Sequence, residues 1–520
     1  MAGMDIQFSK RFSKNVFTNV IYFIINLFVG LALVPFFLES LGTAAYGLIP
    51  LATSITSYIV LVIDSVNSSV SRFLTIDLQK GDVDAANKTY NTALFGTLII
   101  ILCLVPIALL VAWIAPSFFN IGTESAISVF LLFAFVFGSA LVRAWSSNFM
   151  VTLFAQNRLD LRNYVNIVNT GGQALLIVIL FIVFTPSLEL VGFSYFAAAL
   201  SALLLAIFFS RKTCPYLHLA PKLFSQRIFR SIGGMSFWVL TDSIGVLLRY
   251  QIALIMVNKM FGENMGTEYS LALQWFNLLI AVASLVSNVF TPMLYSYYAA
   301  GDKENLLKYS QFATKIMGLS MALPIALVCI FTPQLMTIWV GAEFAHLSVL
   351  VWIIVAPCLV KIQAGCISPI YNAHNKVRFP ALVNIVIGII TPVLAYGLAS
   401  IPALGMYGIA AACSFSIIFI AVVMIPLYTA YLMKKPLTTY YKVILPGIVA
   451  LFILFAGGYV VSNLLYSIIS PYLVMVGLSI IIAVIYGLFV LRVMLNSDER
   501  GLVRSCIPKN IEKYIPTWLL

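Results

Sequence analysis

Long apolar runs separated by short polar breaks set the pattern of this chain. A membrane-crossing helix needs about 20 mainly apolar residues. Fourteen runs meet that length, at 16–38, 47–74, 90–115, 125–153, 163–184, 190–210, 231–258, 268–298, 308–332, 345–371, 381–400, 405–431, 441–464 and 471–494. The pattern predicts an all-α polytopic membrane protein with about 14 transmembrane helices. An even number of crossings places both termini on one side.

Part of the pattern occurs twice. Residues 141–168 (LVRAWSSNFMVTLFAQNRLDLRNYVNIV) align without a gap to 359–386 (LVKIQAGCISPIYNAHNKVRFPALVNIV). The pairs Leu141/Leu359, Val142/Val360, Ala155/Ala373 and Asn157/Asn375 are identical, as are Val165–Val168 and Val383–Val386. Arg143 falls opposite Lys361, and Pro106 has Pro324 at the same offset. A fixed-offset repeat in a membrane protein predicts two similar halves. The expected organisation is an N-terminal six-helix bundle over 1–210, a basic linker over 211–230, a second six-helix bundle over 231–431, and two additional helices with a tail over 432–520.

Composition supports the membrane reading. The chain is 62% hydrophobic and 9% charged, where a soluble domain carries about 25% charged residues. The net charge of +12 belongs mostly to one set of loops, so nucleic acid is not an expected partner. Lys10, Arg11, Lys14, Arg211, Lys212, Lys222, Arg227, Arg230, Lys434, Lys435, Lys442, Arg500, Arg504, Lys509 and Lys513 all fall on one side of the predicted topology. The opposite loops carry Glu39, Glu124, Glu189, Glu263, Glu268 and Glu343, with Lys259 the strong base among them. Positive charge marks the cytoplasmic side, so a cytoplasmic-membrane location with both termini cytoplasmic is expected. The 7 cysteines and 3 histidines are scattered, without the spacing of a metal site.

Polar positions inside the apolar runs are the candidates for chemistry. Asn15, Asn19, Tyr22 and Asn26 share one face of the first helix. The second helix carries Ser65, Asn67, Ser68 and Ser69 beside Asp64, and the eighth carries Gln274, Asn277, Ser284, Ser287 and Asn288. Interhelical hydrogen bonding explains any one of these residues. Three such helices together predict a hydrated cavity, with Asn19, Tyr22, Asn26, Asn67, Gln274 and Asn277 as its polar lining. Ionisable groups deep in a membrane are expensive and face a partner or a cavity. Asp64, Arg143, Asp242, Arg249 and Lys361 are the deep ones, and Arg72 lies nearer a helix end. Three cations against two carboxylates leave an excess that an anion would relieve. Arg143, Arg249, Lys361 and Arg72 are therefore the candidate phosphate ligands. Asp64 and Asp242 are candidates for coupling or for structural ion pairs.

The stretch PFFLESLGTAAYGL (35–48), with its LG-x-x-x-YG turn at Leu41, Gly42, Tyr46 and Gly47, is followed by a D-x-x-x-x-S-x-x-R pattern at Asp64, Ser69 and Arg72. GDVDAANKTY (81–90) is echoed by GDKENLLKY (301–309). These segments resemble the polysaccharide and lipid-linked oligosaccharide flippases of the multidrug/oligosaccharidyl-lipid/polysaccharide exporter superfamily. Ser65 and Val66 stand where many members have glycine. The resemblance implies two six-helix bundles around a central cavity, working by alternating access.

The expected function is translocation of a polyprenyl-(di)phosphate-linked oligosaccharide from the cytoplasmic to the outer leaflet, for cell-surface polysaccharide. The alternatives are a cation-coupled multidrug exporter of the same fold and a non-transporting scaffold of a cell-surface assembly complex. No nucleophile, metal set or phosphate-cradling loop stands out, so the chain is expected to be a transporter without cofactor rather than an enzyme. Coupling to H⁺ or Na⁺ is left open. Expected partners are the lipid-linked glycan, membrane lipids and glycan-assembly proteins.

Overall fold

Turn chemistry repeats with the helices. In the computed structural model, which describes residues 2–79, 81–156, 158–374, 376–496 and 499–500, Gly81 and Gly301 both have φ of +72°. Each sits in the same hydrogen-bonded turn: Asp82 N–H donates to Asp77 O and Val83 N–H to Gly81 O, as Asp302 N–H does to Tyr297 O and Lys303 N–H to Gly301 O. Asp82 and Asp302 then cap the following helix, each accepting from the backbone N–H three residues on. Gly42 (φ +83°) and Gly262 (φ +93°) form a second matched pair of helix ends. The two GD turns thus share one local structure. Asn157 and Asn375, an identical pair of the repeat, lie outside the described residues.

Among the described residues, fourteen long helical segments follow one another: α1 (Ala2–Leu41), α2 (Thr43–Gln79), α3 (Val83–Phe118), α4 (Ala126–Ala155), α5 (Leu159–Val183), α6 (Leu188–Thr213), α7 (Gln226–Phe261), α8 (Glu263–Ala299), α9 (Lys303–Ile330), α10 (Ala342–Ala373), α11 (Arg378–Ala399), α12 (Gly405–Leu432), α13 (Tyr441–Leu465) and α14 (Pro471–Met494). Thirteen helices of the described residues are long and apolar enough to cross a membrane. The predicted eighth span, 268–298, is occupied by α8, a continuous helix of 37 residues. Several helices outrun their apolar cores. α1 takes in Lys10, Arg11 and Lys14, and α2 continues past Ser71 to Gln79. α12 and α14 each contain a π-helical stretch, Phe419–Met424 and Val490–Met494, and α10 is interrupted. Its regular stretches, Ser348–Val355 and Cys358–Ala373, are separated at Pro357, where the missing N–H interrupts the hydrogen-bond ladder. Its repeat partner α4 has no such break.

The chain forms two compact units, Met1–Ser270 with Ala381–Ser400, and Leu271–Pro380 with Ile401–Leu520. The first unit therefore contains α7, the head of α8 and α11 in addition to α1–α6. The reason for α11 is a close helix crossing. A Cβ on Gly245 of α7 would lie 2.3 Å from the carbonyl carbon of Asn384, and one on Gly388 would lie 2.7 Å from Gly245 O. Small residues let backbones meet in this way. The loop after α3 is also fastened to α7. Asn120 Nδ2 donates to Asn258 O at 2.7 Å, and Lys259 Nζ donates to Phe118 O at 2.6 Å. The linker after α6 runs along α3. Asn87 Nδ2 donates to Tyr216 O (3.0 Å) and accepts through Oδ1 from His218 N–H (2.8 Å). Asn91 repeats the pair one turn later with His218 O and Ala220 N–H.

In the second unit, α13 lies against α9 and α10. Gln363 of α10, fully buried, donates to Ile444 O at 3.2 Å. Gly318 of α9 and Gly447 of α13 flank it closely. α14 is held by Tyr486, whose hydroxyl donates to Leu319 O at 2.7 Å. Much of α13 and α14 is exposed and apolar.

Candidate functional site

In the first unit, α2, α4 and the start of α5 enclose a cavity of about 440 Å³. Its α2 wall is Val60, Ile63, Asn67 and Ser71, and its α4 wall includes Arg143, Ser147, Met150 and Phe154. Those spacings are one helical face each. Arg162, from the first turn of α5, completes the lining. Arg143 lies more than three turns before the end of α4 at Ala155, roughly 18 Å along the helix at 1.5 Å per residue. Both arginine side chains are exposed, as expected of cations facing a hydrated space rather than lipid. Among the described lining residues no carboxylate occurs.

The start of α5 is fixed by an ion cluster. Asp160 is buried, with its Oδ2 3.0 Å from Lys14 Nζ and its Oδ1 3.0 Å from Arg158 Nε. Asn163 Nδ2 donates to Thr18 Oγ1 at 3.3 Å, tying the same turn to α1. The carboxylate in this first turn also suits the positive end of the helix dipole. Arg162 is one residue before Asn163 and so takes its direction from this anchorage.

The sequence-derived candidates separate into groups. Arg143 and Asn67 line the cavity together. Arg249 is not among its lining residues. It is 4% exposed, and its Nη2 donates to Asn384 Oδ1 at 2.9 Å while Nε reaches Gly245 O at 3.4 Å. Lys361 belongs to the second unit, where its Nζ stands 4.9 Å from the centroid of the Phe276 ring. Gln274 is half-buried and Asn277 exposed on α8. Asn19 and Asn26 are exposed and Tyr22 half-buried on α1. The side chains of Asp64, Arg72 and Asp242 lie outside the described residues. Arg162 is the cavity residue that sequence reading passes over, because a cation beside a cytoplasmic-type loop looks like topology signal alone.

A further cavity is lined by Gln156, Arg158 and Lys212 among others, and another differs in chemistry. This one, of about 440 Å³ in the second unit, is lined by Cys329, Trp352, Pro357, Val360, Phe452 and Phe455 among others, and is almost wholly apolar. Among the described residues no group of His, Cys, Asp and Glu is placed to hold a metal ion.

No family model matches the chain. It is 27% identical over 504 residues to the uncharacterized membrane protein EpsK of Bacillus subtilis (strain 168), across 95% of this chain and 97% of that protein. Among solved structures, it superposes on the lipid II flippase MurJ in an inward closed conformation with a TM-score of 0.67 at 13% identity, covering 93% of this chain and 99% of that one. An inward-facing multidrug resistance MATE family transporter of the MOP superfamily matches with a TM-score of 0.64 at 14% identity, covering 79% of this chain and 94% of that one. With its long apolar helices and this likeness, the chain is an all-α polytopic membrane protein with the fold seen in the lipid II flippase MurJ and in the MATE family transporter.

Proposed function

We propose that this chain is a flippase for a polyprenyl-phosphate- or diphosphate-linked oligosaccharide, moving it from the cytoplasmic to the outer leaflet. One observation carries the reading: Arg143 and Arg162 line one cavity. Guanidinium groups bind phosphate by charge-assisted, often paired hydrogen bonds. Two guanidinium groups in one lining suit an anionic ligand, which favours this reading over a multidrug exporter of cationic drugs. The excess of Lys and Arg in the loops that include both termini makes those loops cytoplasmic. Arg162 then stands at the cytoplasmic end of the cavity and Arg143 deeper. A phosphate group enters past the first and is held by the second, while the apolar tail stays in lipid. Asp64 and Asp242 are the groups through which H⁺ or Na⁺ would couple to the cycle, and glycan-assembly proteins are the expected neighbours.

The test is flipping of a fluorescent polyprenyl-diphosphate disaccharide by the purified chain in phosphatidylglycerol/phosphatidylethanolamine vesicles. Losing a hydrogen bond to a charged group costs about 1.5–3 kcal/mol, roughly ten- to a hundred-fold in rate or affinity. Arg143→Gln with Arg162→Gln should slow flipping by at least that lower factor, with normal insertion. An unchanged rate in the double variant, at normal abundance, excludes the role.

A further inference from the structure

We infer that Asn67 reads a hydrogen-bond donor on the ligand next to its phosphate, so that the Arg143 cavity selects a glycosyl phosphate over a plain phosphate ester. The inference rests on the anion-binding reading of the same cavity and adds a specificity residue to it.

Hydrogen-bond bookkeeping fixes which end of the Asn67 amide is free. Ser147 Oγ donates its one hydrogen to Ala144 O. It can then meet Asn67 only as an acceptor, and Asn67 Nδ2 stands 2.7 Å from it. Turning the amide over would set two acceptors against each other. Asn67 Oδ1 is therefore the remaining end, and it is buried without a hydrogen-bond partner. A buried acceptor left unmet is costly, and a ligand or water that supplies a donor removes the cost.

The two arginines cannot supply what Asn67 lacks without giving up the anion, and they demand the opposite chemistry. Guanidinium groups only donate. A ligand that satisfies the whole lining has acceptor oxygens bearing negative charge and, beside them, an O–H or N–H. Phosphate diesters and diphosphates at neutral pH offer only acceptors. A sugar joined through its anomeric carbon to phosphate offers both, from a ring hydroxyl or an acylamino N–H close to the ester oxygen. Ser71, one turn along α2 on the same face, adds a further hydroxyl to the lining.

The experiment is equilibrium binding to the purified full chain in detergent with three probes: inorganic phosphate, methyl phosphate and glucose 1-phosphate. Methyl phosphate is an ester with no neutral hydroxyl. One neutral hydrogen bond corresponds to roughly three- to ten-fold in affinity. The wild-type chain should bind glucose 1-phosphate tighter than methyl phosphate by about that factor. Asn67→Leu should abolish the preference and keep methyl phosphate affinity, whereas Arg143→Gln should weaken both esters. Equal binding of the two esters by the wild-type chain overturns the inference and leaves the anion site standing, a result that needs no variant to fold. Failure of either ester to bind, or binding unaffected by Arg143→Gln, overturns the anion site and this inference together. A preference that persists in Asn67→Leu places the sugar contact elsewhere and overturns the assignment to Asn67.

Discussion

Arg249 of α7 and Asn384 of α11 are joined by a 2.9 Å hydrogen bond from Nη2 to Oδ1, beside the Gly245–Gly388 crossing of the same helices. Asn384 is the repeat counterpart of Asn166. The bond crosses 135 residues of sequence and ends on a guanidinium that is almost fully buried. Its geometry is that of a fastener between helices, unlike the exposed Arg143.

Asn384→Leu keeps the branching and the number of side-chain heavy atoms and removes the acceptor. A hydrogen bond to a charged group is worth about 1.5–3 kcal/mol, so this variant should unfold at lower temperature in detergent. Equal Tm values for Asn384→Leu and the wild type would show that the bond carries no stability.

Gly245→Ala tests the crossing itself. The new methyl would stand 2.3 Å from one backbone carbon of α11 and 2.4 Å from its oxygen, and backbone cannot rotate away as a side chain can. Overpacking of this kind costs about 1–3 kcal/mol. Gly171→Ala on α5, where nothing lies within 4 Å, is the matched control and should be neutral or slightly stabilising. The two variants should therefore differ in Tm and in the fraction surviving extraction, with Gly245→Ala the weaker. Identical behaviour argues that α11 is free to shift.

How much of this was legible in the sequence follows from how local each signal is. A 20-residue apolar run needs no tertiary knowledge, so the helices and their repeat are visible by inspection. The repeat's turns are visible for the same reason, since GDVD and GDKE carry both the positive-φ glycine and the capping aspartate. Arg143 and Arg249 look alike in sequence, each a lone arginine well inside an apolar helix. What separates them is Asn384 and two glycines that meet only in the folded chain. Arg162 is hidden differently. Its charge is explained twice, once by topology and once by the cavity, and the sequence displays the first explanation alone. The cluster of Lys14, Arg158 and Asp160 joins α1 to α5 across more than 140 residues, a pairing no spacing announces.

Acid should loosen the α8–α9 turn. Asp302 accepts from Asn305 N–H at 3.0 Å and from Asn305 Nδ2 at 2.7 Å. The backbone hydrogen bond first, and then the side-chain one, hold its carboxyl below the usual carboxylate range. A folded-state value below the unfolded one stabilises fully above the unfolded value, and the benefit disappears as pH falls through the folded one. Amide exchange at Lys303–Leu306, corrected for its intrinsic pH dependence, should rise on acidification into that range. Asp302→Asn, which keeps an acceptor but cannot titrate, should flatten the response. Protection that is independent of pH in the wild type contradicts the capping role.

Lys361 occupies the repeat position of Arg143 but meets different surroundings. It is half-buried, follows the break at Pro357, and sets its ammonium 4.9 Å from the Phe276 ring centroid. A cation over a ring face is worth about 0.5–1 kcal/mol when exposed and about 2 kcal/mol when desolvated. A double-mutant cycle isolates that energy. Lys361→Met keeps an unbranched apolar stem and removes the charge, and Phe276→Leu keeps bulk and removes the ring face. If the contact carries energy, the double variant should lose less stability than the two singles added together, by about 0.5–2 kcal/mol. Lys361→Arg should stay near the wild type, since a guanidinium also stacks on aromatic faces. Strict additivity would mean that the ring merely borders the charge. In that case the other interactions of Lys361 set its place, and Phe276→Leu should leave both transport and stability nearly as they were.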